Sequence, residues 1–166
     1  MMGTAAVVAC ARMDAATRSD ARAILGAFLG SDEHYLASSG AYGDGGPQAL
    51  DRALDLFLAR RDVGFVWLAY ADGAGPRMPV GACVVCYAIS TSRGSLVAKL
   101  DDVHVADGWQ GQGVGRAMLV ALFGALRAEG ITRVDCACHR DNAGAWRFYE
   151  QLGFRALDEE RIALLI

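Results

Sequence analysis

Lysine, long hydrophobic runs and clusters of basic residues are scarce in this sequence, and each absence excludes a class of protein. Among the 16 basic residues only Lys99 is a lysine, which leaves almost no side chain for Schiff-base chemistry. The longest apolar run, residues 80–89, is far shorter than the roughly 18 residues that a membrane span needs. The longest basic run is Arg60-Arg61, and the formal net charge is −3. We therefore expect neither a nucleic-acid nor a membrane partner.

The cysteines form a pattern that argues against disulfides and metals. The chain has five, and an odd number favours free thiols. Cys83 and Cys86, like Cys136 and Cys138, lie in apolar runs without the polar knuckle of a zinc site. We predict that the cysteines are packed as small buried hydrophobic residues. We expect no metal site and no cysteine nucleophile. Residues 1–11 are apolar with no basic residue ahead of them, unlike a secretory signal, so a cytoplasmic location is the default expectation.

Length and composition predict a single globular domain covering residues 1–166. The chain has 166 residues, of which 54% are hydrophobic and 21% are charged. This length suits one domain, and the low charge together with the steady supply of Val, Leu, Ile and Phe excludes disorder.

Hydrophobic periodicity predicts a mixed succession of strands and helices. The predicted strands cover residues 5–11, 63–71, 80–89, 95–105 and 131–138, with a last pair at 154–157 and 161–166. The predicted helices cover 15–29, 48–60, 113–129 and 142–152, and the Gly- and Ser-rich residues 38–47 are predicted to form a mobile loop. Residues 95–138 have the pattern of a strand, a crossover helix and a parallel strand. We expect an α+β domain with a central mixed, largely antiparallel sheet of about six to seven strands, flanked by about four helices.

A glycine-rich loop, Trp109-Gln-Gly-Gln-Gly-Val-Gly-Arg116, separates the predicted strand 95–105 from the helix after it. The first N–H groups of a helix lack internal partners and carry the positive end of its dipole, and glycines let an anion approach them. The loop therefore indicates a phosphate site; the alternative is a loop whose glycines serve only tight packing. It is not a dinucleotide fingerprint, because Arg116 stands where the third glycine would be, and no Walker pattern occurs.

Two motifs carry a resemblance to a known family, over about residues 100–154. Gln110-x-x-Gly113-x-Gly115 resembles the Gln/Arg-x-x-Gly-x-Gly/Ala signature of the GNAT superfamily of acetyl-CoA-dependent N-acetyltransferases. The stretch from Asn142 to Phe154 is similar to the family's Asn-x-x-Ala-x-x-Phe-Tyr followed by Leu-Gly-Phe. Leu100-Asp-Asp also resembles the Leu-Glu-Asp of the diamine (spermidine/spermine) acetyltransferase branch.

The resemblance implies a GNAT-like fold and an N-acetyltransferase that moves an acetyl group from acetyl-CoA to a primary amine by direct attack in a ternary complex. Residues 95–154 would form the acetyl-CoA-binding core and residues 1–94 would shape the acceptor pocket. A non-catalytic acyl-CoA-binding or regulatory module of the same fold is the alternative. The residues implied for cofactor binding are Val103, Val105, Gln110, Gly111, Gln112, Gly113, Gly115, Arg116 and Asn142.

The resemblance also implies two catalytic residues. Tyr149 occupies the family's position for the acid that protonates the leaving thiolate, and Asp101 is the implied base, acting through water. Strict alternation along a strand puts the two carboxylates on opposite faces, so only one of them would face the substrate. Asp102 or a water chain is the alternative for the base. The other alternative is that the carboxylates only bind a cationic substrate or cap a neighbouring loop. The same alternation places His104 opposite in parity to Asp101, as a buried or helix-facing residue.

The acceptor and the oligomeric state are the least specified features. Asp32-Glu33, followed by His34 and Tyr35, would suit a cationic amine, with a solvated acidic turn as the alternative. The acceptor would be a small-molecule or peptide amine. A homodimer is expected from family habit and from the apolar residues 162–166.

Overall fold

One mixed sheet forms the centre of the fold. The computed structural model describes residues 8–73 and 75–166, so residues 5–7 of the first predicted strand lie outside the described residues. The sheet has five strands in the order β1-β2-β3-β4-β5. They are β1 (Val8–Arg12), β2 (Gly64–Ala71), β3 (Met78–Ser90), β4 (Ser95–Val105) and β5 (Val134–Cys136). Neighbours are antiparallel from β1 to β4, whereas β4 and β5 are parallel.

Helices cover both faces of this sheet. They are α1 (Arg18–Ser31), α2 (Glu33–Tyr42), α3 (Gly46–Ala59), α4 (Val114–Ala128) and α5 (Ala143–Gln151). On one face, α4 buries Met118 and Leu122 against Val85 and Leu100. The Trp67 indole donates to the Met118 carbonyl oxygen at 3.1 Å, which anchors α4 to β2. On the other face, α1 and α3 pack on the sheet in a second core that includes Leu25, Leu54, Val66, Leu68 and Val84.

The prediction of a mobile loop at residues 38–47 is wrong over most of its length. Helix α2 runs through Ser38 and Ser39 to Tyr42 and stops at Gly43, which has φ 67°. The Asp32 side chain caps its start by accepting from the Tyr35 N–H at 2.8 Å. A cap and tertiary contacts therefore outweigh the low helix propensity of Ser and Gly here.

The predicted strand pair at the C-terminus is also absent from the described structure. Residues 154–157 and 161–166 form no ladder with the sheet, so the described sheet has five strands instead of about six to seven. The segment instead leaves the sheet edge, and Leu157 and Ile162 are exposed. A short apolar run does not by itself provide a partner strand. The α+β class is confirmed.

The predicted crossover is confirmed and fixes the place of the site. Strand β4, helix α4 and strand β5 follow one another along the chain as predicted, and β5 is parallel to β4. The register pairs β5 with β4 only from Ala98 to Leu100. Beyond Leu100, β4 continues to Val105 without β5 beside it, so the backbone of residues 101–105 has a free edge on that side.

Candidate functional site

The central feature of the site is a β-bulge in β4. Asp101 pairs with Val84 and His104 pairs with Ala82, so two residues of β4 stand opposite the single Cys83. Asp102 lies in this bulge with φ 51°, a backbone region that residues other than glycine seldom adopt. The bulge lies at the point where β4 separates from β5.

The bulge overturns the predicted parity of His104. Because it inserts one residue, Asp101 and His104 share the sheet face of their partners Val84 and Ala82, which belong to the core under α1 and α3. The His104 ring lies 5.4 Å from the Phe28 ring of α1, so its helix-facing position is as expected. Burial lowers the pKa of His104, opposed by Asp107 and Asp32.

The two carboxylates of the bulge lie in a partly desolvated environment. Burial raises the pKa of Asp101, while Arg161 acts in the opposite direction from 3.6 Å. Burial and then the neighbouring Asp101 raise the pKa of Asp102 from 3.8 to about 6. A carboxyl group that titrates near neutral pH is suited to exchanging a proton with a reactant.

Tyr149 lies on α5, beside Cys136 of β5. Its ring makes T-shaped contacts with Phe148 at 5.2 Å and with Phe154 at 5.4 Å. Burial, followed by the nearby Cys136 thiol, raises the pKa of the Tyr149 hydroxyl well above its usual range. This hydroxyl is therefore protonated at neutral pH and can act as a hydrogen-bond donor.

Asn142 has a structural role at the start of α5. Its Oδ1 accepts from the Ala145 N–H at 3.0 Å, which caps the helix that carries Tyr149. Among the described residues, the two N–H donors of the Asn142 amide have no partner, and they are available to a ligand.

The glycine loop adopts left-handed backbone conformations at three positions. Gly108, Gly111 and Gly113 have φ values of 83°, 72° and 82°. Gly113 is the N-cap of α4, and the first helical N–H bond runs from Ala117 to the Gly113 oxygen at 3.0 Å. The N–H groups of residues 114–116 precede that bond and so lack partners in the helix ladder. A Cβ at Gly111 or Gly113 would meet nothing within 4 Å, which leaves open space beside these donors.

Gly115 differs from the other two glycines of the motif. A Cβ there would lie 3.3 Å from the Phe148 ring and 3.4 Å from Val105 Cγ2. Glycine at this position therefore lets α4 approach α5 and β4 closely, and only its backbone N–H is available to a ligand. Arg116, one residue further, is exposed.

Two glutamine side chains hold the loop against the end of β4. Gln110 Nε2 donates to the Val105 oxygen at 3.0 Å, and Gln112 Nε2 donates to the Gly108 oxygen at 2.6 Å. The carbonyl of Val105 on the free edge thus already has a side-chain partner. The side chains of Val103 and Val105 pack against the core under α4.

An aromatic and acidic group lines the opposite side of the bulge. The Tyr35 ring lies 6.0 Å from Phe28 and stacks on Tyr42 at 5.7 Å. Its hydroxyl donates to Asp44 Oδ2 at 2.7 Å. Burial and Asp44, with a smaller effect of Asp102, raise the pKa of Tyr35 to about 12.

Sequence reasoning missed two residues near the site. Asp44, within the predicted mobile loop, holds the Tyr35 hydroxyl, and Arg161, within a predicted strand, lies next to Asp101. No motif marks either residue. Asp32 was proposed for a cationic amine, but its side chain caps α2.

The part of the chain that the structure describes has neither a group of metal-ligating side chains nor a membrane-spanning helix. Within residues 8–73 and 75–166, no three His, Cys, Asp or Glu side chains lie close enough to hold a metal ion. None of the helices in the same residues is long and apolar enough to cross a membrane.

Comparisons with known proteins agree on one family. Residues 32–154 match the acetyltransferase (GNAT) family. A mycothiol acetyltransferase of Nocardiopsis dassonvillei is 34% identical over 97 residues, which are 58% of this chain and 25% of that protein. The chain therefore spans about a quarter of the length of this relative. The resemblance to the diamine acetyltransferase branch is not confirmed.

Solved structures share the fold over nearly the whole chain. A probable acetyltransferase has a TM-score of 0.74 at 20% identity, covering 95% of this chain and 97% of its own. AAC(6')-Iy, in complex with the bisubstrate analogue CoA-S-monomethyl-acetylneamine, has a TM-score of 0.69 at 15% identity, covering 96% of this chain and 97% of its own.

The raised pKa of Asp102 predicts that the substitution Asp102→Asn increases the stability of the fold by an amount that depends on pH. Because the folded chain resists ionisation of this carboxyl group, the wild type loses stability as pH rises from about 4 through about 6. Asparagine does not ionise and tolerates a positive φ. We expect the variant to match the wild type near pH 3.5 and to exceed it by up to about 2 kcal/mol at pH 8, allowing for partial exposure.

Thermal unfolding across this pH range measures the effect, and Asp72→Asn, which removes an exposed carboxylate, controls for net charge. An Asp102→Asn advantage that does not change with pH would contradict the burial argument.

Proposed function

The chain belongs to the acetyltransferase (GNAT) family, and we propose that it moves an acetyl group from acetyl-CoA to a primary amine by direct attack in a ternary complex. One observation carries the proposal: β4 has the two carboxylates at its bulge, a free edge beyond them and the glycine loop at its end. A long ligand lying along that edge would have its phosphates at the loop and its reactive end beside the carboxylates.

The chain's own groups fit acetyl-CoA at the loop. The N–H groups from Gly111 to Arg116 would hold the pyrophosphate at the N-terminus of α4, where the helix dipole favours negative charge. The exposed Arg116 guanidinium would add a positive charge. The backbones of Val103 and Val105 would pair with the pantetheine amides like an added strand. The Val105 oxygen already accepts from the Gln110 amide, so a pantetheine amide would use the second lone pair of this oxygen or displace the Gln110 amide.

The two carboxylates, Asp101 and Asp102, would remove the proton that an acceptor amine carries at neutral pH. An alkylamine with a pKa of about 10.4 is neutral in about 1 molecule in 2,500 at pH 7, which is worth roughly 4.6 kcal/mol. We assign Asp101 to the acceptor side, because it shares the sheet face of α1, and to proton removal through a water. Asp102, with a pKa of about 6, would share the proton.

Tyr149 would supply the proton or hydrogen bond for the leaving thiolate. Its hydroxyl stays protonated because burial raises its pKa, and α5 holds its ring between Phe148 and Phe154. A donor that meets the sulfur as negative charge develops stabilises the transition state more than the ground state.

The cysteines favour direct attack over a covalent acyl-enzyme. Burial raises the pKa of Cys136 to about 11 and raises that of the fully buried Cys83 further. Neither thiol forms the thiolate that a nucleophile requires at neutral pH.

The acidic surroundings of the bulge favour an acceptor with positive charge. Asp101, Asp102 and Asp44 lie around the acceptor side, together with the aromatic residues Phe28 and Tyr35, a residue type that attracts cations. We propose a small-molecule or peptide amine of this class.

We also propose a homodimer in the cytoplasm. The apolar side chains of Ile162, Leu164 and Ile166 are exposed in the single chain and would gain from cover by a second copy. Sedimentation at micromolar concentration checks this, and a monomer of 17.6 kDa would contradict it.

A panel of amines mixed with acetyl-CoA and protein tests the proposed activity. Amine-dependent release of free thiol, measured above the background of the chain's own cysteines, is the expected result. Binding of acetyl-CoA with no amine-dependent thiol release across a broad panel would favour a non-catalytic acyl-CoA-binding module instead.

Tyr149→Phe should lower kcat by roughly 10- to 1,000-fold with little change in acetyl-CoA affinity, because it removes one donor and keeps the ring. Steady-state kinetics on the best amine of the panel measure the change. Tyr87→Phe is the matched control, since its hydroxyl donates to Glu129, away from the bulge. Full kcat in the Tyr149 variant would refute the acid role.

A further inference from the structure

The C-terminal segment, residues 154–166, crosses from α5 to the end of α2. Two contacts made by the second half of this segment define its position. Glu160 forms an ion pair with Arg140, which lies in the loop before α5. At the far end, Leu165 lies so close to Gly43 that a Cβ at that glycine would be 2.8 Å from Leu165 Cδ2.

Between these two contacts, the segment places a cation at the bulge. Arg161 Nη1 lies 3.6 Å from Asp101 Oδ1. This guanidinium therefore lies against the carboxylate that we assign to the acceptor side. Arg161 and Asp101 side chains are 70% and 45% exposed, and an ion pair so open to solvent is weak.

The surroundings of Arg161 favour positive charge at this point. Asp101 and Asp102 are adjacent, and Asp101 opposes the ionisation of Asp102. On α2 and just after it, Tyr35 and Asp44 form the wall that faces Asp102. A cation that replaces Arg161 would meet the same carboxylates.

We infer that residues 155–166 form a displaceable strap over the acceptor side, and that Arg161 is a resident counter-ion which the ammonium group of a cationic acceptor replaces at Asp101. Arg161 is then a specificity-determining residue. Amines that carry a second positive charge displace it, whereas neutral or anionic amines leave the strap in place. This inference rests on the proposed acceptor side but not on acetyl transfer itself.

The strap has a consequence for kinetics that a purely structural segment would lack. Removing the Arg161 charge should lower KM for a cationic amine severalfold while leaving KM for acetyl-CoA unchanged. The glycine loop that would hold the pyrophosphate lies before α4, and none of the three strap contacts involves a residue of that loop.

Limited trypsin digestion tests the strap without requiring activity. The readout is cleavage after Arg155, an exposed residue within the segment, followed by mass spectrometry of the released C-terminal peptides. With spermidine as the probe, we expect at least a threefold faster cleavage in the wild type than with NaCl at equal ionic strength. Arg161→Gln should be cleaved at the fast rate without spermidine and should not respond to it.

Arg147→Gln is the matched control, because it removes an exposed arginine of α5 and should behave as the wild type. Cleavage of Arg161→Gln at the wild-type rate overturns the strap. A wild-type chain whose cleavage does not respond to spermidine beyond NaCl overturns the exchange of Arg161 for an amine. A responding strap in a protein that fails the amine panel would refute the catalytic proposal alone.

Discussion

The extra residue that β4 accommodates at Asp102 is the constraint on which the rest of the site depends. It places Asp101 and His104 on the same sheet face and lies where β4 separates from β5. Without it, strict alternation would direct one of these side chains to the core under α4. The bulge thus places the two carboxylates at the start of the free backbone edge, at the cost of a strained φ at Asp102.

The helices on the two faces of the sheet would have different roles around that bulge. On one face, α4 and α5 meet through Gly115 and Phe148, and Tyr149 of α5 lies beside Cys136 of β5. On the other face, α1 and α2 bring Phe28 and Tyr35 over the bulge. A cofactor from the first side and an amine from the second would meet at residues 101–105, as direct transfer requires.

The sequence was sufficient to predict those elements that depend on interactions between residues close together in the chain. The strand 95–105, the loop after it and the helix that begins at its glycines all follow from periodicity and from N–H groups without partners. Three features depend on distant contacts instead. Helix α2 depends on the Asp32 cap and on its aromatic neighbours. The bulge places His104 on the sheet face opposite to the predicted one. Arg161 forms an ion pair with Asp101 instead of pairing in a strand. No periodic pattern in one sequence encodes such pairings.

The claim that the glycine loop holds acetyl-CoA has a direct test at the two ends of α4. Gly113 and Gly130 have nearly equal φ values, 82° and 83°, and open space around a Cβ. Alanine at either position therefore costs similar backbone strain, about 1–2 kcal/mol. Calorimetric titration with CoA should show at least a tenfold loss of affinity in Gly113→Ala and wild-type affinity in Gly130→Ala. Equal CoA affinity in the two folded variants would contradict the account.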